Sequence, residues 1–123
     1  MRSIRKGGIF KQLDAKKKVI AVDFDGTLVH NTYPYIENPN VRLLEYIRTN
    51  RDKYIWILWT CRQEEQLGYA VEWLKNEQGI EFDLINQNTP WNIEQYGKDT
   101  RKIFADFYID DKMISVKDLD KIS

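Results

Sequence analysis

One cysteine, one histidine and three prolines are all that 123 residues hold of those types. A lone cysteine forms no internal disulfide, so the chain is not a disulfide-stapled domain, and a reducing compartment is expected. A lone histidine leaves histidine-rich metal centres and a triad with a second histidine unsupported. No apolar run approaches the roughly 18 residues of a membrane span, and the charged first residues hold no apolar segment of the signal-peptide kind. A cytoplasmic protein without a membrane contact is the expectation. Net charge is missing too, with 19 basic and 19 acidic residues. That balance hides an asymmetry. Arg2, Arg5, Lys6, Lys11, Lys16, Lys17 and Lys18 face a single acid, Asp14, in the first 18 residues, and the remainder is acidic. A basic arm on an acidic body leaves a nucleic-acid contact open. Without interleaved aromatics for base stacking, a solvated lead-in is the simpler reading.

What is present suffices for one domain with its own core. Residues 1–17 read as a basic arm, 18–116 as the core and 117–123 as a tail. Short β-branched or aromatic runs mark strands at about Lys18–Asp23, Tyr54–Trp59, Phe82–Ile85 and Asp106–Ile109. Asn38-Pro39 reads as a helix start, with Val41, Leu43, Leu44 and Ile47 as its apolar stripe. Glu64 and Glu65 open a second helix lined by Leu67, Ala70, Val71 and Leu74, and Gly79 reads as its C-terminal cap. Residues 86–98 read as a polar loop, with Asp99 or Thr100 capping a short helix to about Phe104. Met113–Ser123 has room for one more short strand or turn. The alternation β, α, β, α, β, α, β implies an α/β fold: a single-domain, Rossmann-like three-layer α/β/α sandwich on a mainly parallel sheet.

The chain is organised around Val19-Ile20-Ala21-Val22-Asp23-Phe24-Asp25-Gly26-Thr27-Leu28. A buried strand that ends on two carboxylates is costly unless a cation or hydrogen bonds compensate them. Thr60 follows the second strand, and Asp110 and Asp111 follow the fourth. Parallel strands place all these ends on one edge, where open α/β sheets bind ligands. Five polar groups there need a cation and an anionic ligand to balance them.

Asp23-Phe24-Asp25-Gly26-Thr27-Leu28 resembles motif I of the haloacid dehalogenase (HAD) superfamily, most of whose members are Mg²⁺-dependent phosphatases. The resemblance implies Asp23 as the nucleophile and a metal ligand, and Asp25 as the general acid/base, its backbone carbonyl also on the metal. Thr60 matches the motif II hydroxyl that holds a phosphoryl oxygen. Lys102, eight residues before Asp110, matches the cation that neutralises nucleophile and phosphate, with Lys98 and Arg101 as competitors. Asp110 and Asp111 would complete the Mg²⁺ site, one directly and the other through water. Asp25 to Thr60 spans 35 positions and Thr60 to Lys102 spans 42, too few for the cap domain most members insert. The chain resembles capless members, which act on large substrates or close the site with a second copy of themselves. The expected function is a Mg²⁺-dependent phosphomonoester hydrolase acting through an aspartyl-phosphate, on a small phosphorylated metabolite such as a sugar phosphate or nucleotide. A phosphatase of polynucleotide ends and a non-catalytic phosphate- or partner-binding module are the alternatives.

Other residues read as structural. Asp106 falls out of register with the site, Lys112 belongs to the surface and His30 to a solvated loop. Cys61-Arg62 lacks the spacing of a cysteine-phosphatase loop, so Cys61 reads as a part-buried strand-end residue. Trp56, Trp59 and Trp73 read as core. Trp91 either lines the site or anchors its loop.

Overall fold

The computed structural model describes residues 12–121. Four short strands form one parallel sheet: β1 (Val19–Val22), β2 (Ile55–Leu58), β3 (Leu84–Ile85) and β4 (Phe107–Ile109), in the order β3-β2-β1-β4. Three helices alternate with them, α1 (Val41–Thr49), α2 (Glu64–Gln78) and α3 (Pro90–Tyr96), and a 3₁₀ segment, Val116–Lys121, follows β4. The architecture is Rossmann-like α/β. Every residue of β1 and β2 is buried, as strands covered on both faces require.

One face of the sheet carries Ile20, Val22, Trp56 and Leu58 against Leu44 and Ile47 of α1 and Ala70 and Leu74 of α2. The opposite face carries Val19, Ala21, Ile55 and Ile57 against Ile103 and Ala105, with Trp91 of α3 packed beside them. Burying one such side chain contributes about 1.5–3 kcal/mol, so the two clusters dominate the stability of the sheet. Trp91 is therefore an anchor. Asp106 is structural, because its Oδ2 accepts the Val19 N–H at 2.8 Å, at the edge away from the site. Gly79 caps α2 in the left-handed region at φ 67°.

Several local expectations are corrected. Helix α1 is capped by Asn40 instead of Asn38, which has φ 50°. Asn40 Oδ1 accepts the Leu43 N–H at 3.1 Å, while its Nδ2 donates to the Thr27 carbonyl at 3.0 Å. Val41 does not join the apolar stripe and is 69% exposed. The third helix is α3, inside the stretch read as a loop, and no helix spans 99–104. Asp99 cannot cap one because its Oδ1 accepts both the N–H and the Nδ2 of buried Asn88, at 3.1 and 2.8 Å. Cys61 is exposed. Residues 1–11 of the basic arm and the last two of the tail lie outside the described residues. Among the described residues no helix is long and apolar enough to cross a membrane.

Candidate active site

Strand register assembles the site. Val22 pairs with Leu58 on one side and Ile109 on the other, so the next residues along, Asp23, Trp59 and Asp110, lie level at the carboxyl edge. The Asp23 N–H donates to the Ile109 carbonyl at 3.0 Å and the Trp59 N–H to that of Val22 at 2.9 Å, extending both ladders to that point. Carboxylate oxygens of Asp23, Asp110 and Asp111 all lie within 4.8 Å of one another.

The turn after Asp23 is shaped by that cluster. Gly26 has φ 89°, and a Cβ there would collide with the Asp111 carboxylate, so glycine permits both the backbone and the approach. Thr27 bridges the two strand ends. Its hydroxyl accepts the Asp111 N–H at 3.0 Å and donates to Asp23 Oδ2 at 3.2 Å. A cleft of about 430 Å³ opens alongside, lined by Asn40, Arg42 and Tyr46 on one wall and Ile109, Asp110 and Asp111 on the other.

Charge is unevenly compensated. Burial first, then the Asp110 charge, push the Asp23 carboxyl above its ordinary value of 3.8, and hydrogen bonds from the Phe24 backbone and Thr27 only partly offset them. Burial also raises Asp111, but hydrogen bonds with Asp110 and Lys112 and the Lys112 charge outweigh it, and its carboxyl stands below the ordinary value. Lys112 Nζ sits 3.3 Å from Asp111 Oδ2. Among the described residues Asp23 and Asp110 have no cationic partner. Three hard oxygen donors with excess negative charge fit Mg²⁺, which takes carboxylates and keeps several waters. The Asp25 carbonyl accepts no backbone hydrogen bond among the described residues and is a further oxygen donor of the same kind.

Thr60 stands two residues beyond β2. Its N–H donates to Asn86 Oδ1 at 2.8 Å, and its hydroxyl accepts the Arg62 N–H at 3.1 Å. The hydroxyl proton thus remains to donate to an incoming acceptor. Asp25 does not join the three clustered carboxylates; it pairs with Arg62, whose Nε and one terminal nitrogen donate to its two oxygens at 2.8 Å each. Lys102 is exposed, and among the described residues its ammonium makes no hydrogen bond or ion pair. Thus the structure gathers Asp23, Asp110 and Asp111, sets Thr60 two residues beyond β2 on Asn86 and Arg62, and pairs Asp25 with Arg62.

Arg62, Thr27, Asn40 and Asn86 went unrecognised in the sequence. Thr27 lies inside the motif string, and Arg62 is two residues beyond Thr60. Asn40 and Asn86 leave no comparable mark.

The fold and this edge define a small Rossmann-like protein with an acidic triad at the carboxyl ends of its central strands. No protein-family model matches the chain, and no curated protein matches it significantly. A solved structure does: a conserved protein coded by a locus from Bacteroides thetaiotaomicron, 36% identical, with a TM-score of 0.69, covering 80% of this chain and 78% of its own. At that identity and coverage the chain belongs to the family of that conserved protein.

Proposed function

We propose that the chain is a capless member of the HAD superfamily and a Mg²⁺-dependent phosphomonoester hydrolase. The observation that supports this most is the convergence of Asp23, Asp110 and Asp111 within 4.8 Å, at the edge where Asp25 and Thr60 also stand. Bound Mg²⁺, held by Asp23, Asp110 and Asp111 with the Asp25 carbonyl, would cancel the repulsion between an anionic nucleophile and an anionic phosphate.

An Asp23 carboxylate oxygen attacks phosphorus, and the bond from phosphorus to the leaving oxygen breaks. Asp25 delivers its proton to that oxygen and becomes a carboxylate. It then takes a proton from water, which attacks the aspartyl-phosphate and releases inorganic phosphate and Asp23. The Thr60 hydroxyl donates to a non-bridging phosphoryl oxygen and fixes the group for in-line attack. Lys102 is the neutralising cation by resemblance alone. A small phosphorylated metabolite is the substrate class that suits the cleft beside Asp110.

Phosphate release from an aryl phosphate, sugar phosphates, nucleotides and 3′- or 5′-phosphorylated oligonucleotides tests the proposal, with Mg²⁺ and with EDTA, beside Asp23→Asn. Metal-dependent release that Asp23→Asn abolishes is expected. Release no greater than in the Asp23→Asn control, across the whole panel, refutes it. Preference for the oligonucleotides replaces the small metabolite with a polynucleotide end.

A further inference from the structure

We infer that Arg62 is the positioning residue of Asp25, a role that rests on the phosphatase reading above. Arg62 is 1% exposed. Beyond its two bonds to Asp25 it donates to the Pro34 carbonyl and to the Gln66 carbonyl, each at 3.2 Å. Four of the five N–H groups of a guanidinium are thereby engaged. The rings of Phe24 and Tyr33 have their centroids 4.9 Å from its Cζ. A guanidinium so enclosed has no face left for a phosphoryl group, so it is not a substrate clamp.

What it does hold is the plane of the Asp25 carboxylate. A carboxylate offers about four lone-pair sites. The fork occupies one on each oxygen, and the remaining two point in directions the fork sets. One of these must carry the proton to the leaving oxygen and later receive the proton of water. When Asp25 gives up its proton, the negative charge appears directly against the guanidinium. A lysine ammonium is a point charge and does not reproduce the parallel pair of bonds. Pro34 and Tyr33 belong to the rim loop between Val29 and Asn40, so the same side chain ties that rim to the acid.

A role in proton delivery differs from a purely structural one in its dependence on the leaving group. An alkyl phosphate expels an alkoxide that needs a proton, whereas dinitrophenolate leaves without one. The values of kcat/KM, which report steps up to aspartyl-phosphate formation, are compared for the two esters in wild type, Arg62→Lys and Tyr33→Leu. For Arg62→Lys the alkyl ester should lose roughly 10²-fold, the scale of general acid catalysis, and the dinitrophenyl ester only a few-fold. Tyr33→Leu, at a half-exposed ring, should show the same selectivity to a smaller extent and carries the test if Arg62→Lys does not fold. Equal losses on both esters overturn the inference while leaving the phosphatase reading standing. A wild type that releases no phosphate overturns both.

Discussion

The Asp25–Arg62 pair predicts a specific pattern of stability. Arg62→Met leaves the Asp25 carboxylate without its partner, and Asp25→Asn leaves the guanidinium without a counter-charge. Breaking a buried pair from one side costs about 3–5 kcal/mol. The Asp25 side chain retains 18% exposure and can draw in water, whereas Arg62 retains 1%. The arginine variant should therefore lie at the lower end, near 3 kcal/mol, and the aspartate variant about 1 kcal/mol higher. Removing both charges eliminates the orphan, so the double variant should be less destabilised than the sum of the singles by about 3 kcal/mol. Urea unfolding followed by tryptophan fluorescence reads this directly. With a slope near 1.5 kcal/mol/M, a 3 kcal/mol loss moves the midpoint by about 2 M. Single-variant losses that add to within about 0.5 kcal/mol would show that the two side chains do not depend on each other, and would refute the pairing.

Further tests address the carboxylates and the turn. Asp23 has a raised folded value, so its ionisation opposes folding. That penalty is absent in acid and grows as pH rises through the shifted value. Without metal, Asp23→Asn should therefore melt higher than wild type at neutral pH, with the gap closing below about pH 4; a gap that widens in acid would reverse the sign. Gly26→Ala should cost more than about 1 kcal/mol because φ is positive and the Cβ meets Asp111, and calorimetry should find its Mg²⁺ affinity reduced; wild-type stability and affinity would contradict the crowded turn. Thr60→Val keeps the shape and removes the donor, so kcat/KM for phosphate esters should fall about 10²-fold or more, while the Arg62 N–H that loses its acceptor should lower stability by only about 1 kcal/mol.

The strands were legible because apolar runs have few other readings, and the acidic edge followed from where those runs stop. Helix α3 was hidden because its hydrophobic period is weak: Asn92 and the adjoining Thr89 are buried polar residues. Its grammar was nevertheless present, with Pro90 at the first turn and Gly97 past the end at φ 79°. Asn38-Pro39 obeys the same grammar, but Asn40 reaches Thr27 in space, which no local rule reveals. Arg62 was the larger omission. A charged residue after a strand reads as solvent-facing by default, and its partner is 37 positions away.

Strand β1 lies between β2 and β4, and its ladders run on both sides as far as Asp23. Amide protons on Ile20 to Asp23 should accordingly exchange with solvent only through the rarest opening of the molecule. Two ladders must part before Asp23 can drift from its place at the strand end. On the proposed phosphatase reading, damage to the core elsewhere should reduce the number of competent molecules and leave the turnover of each intact, so phosphate release and global folding should vanish along one denaturation curve.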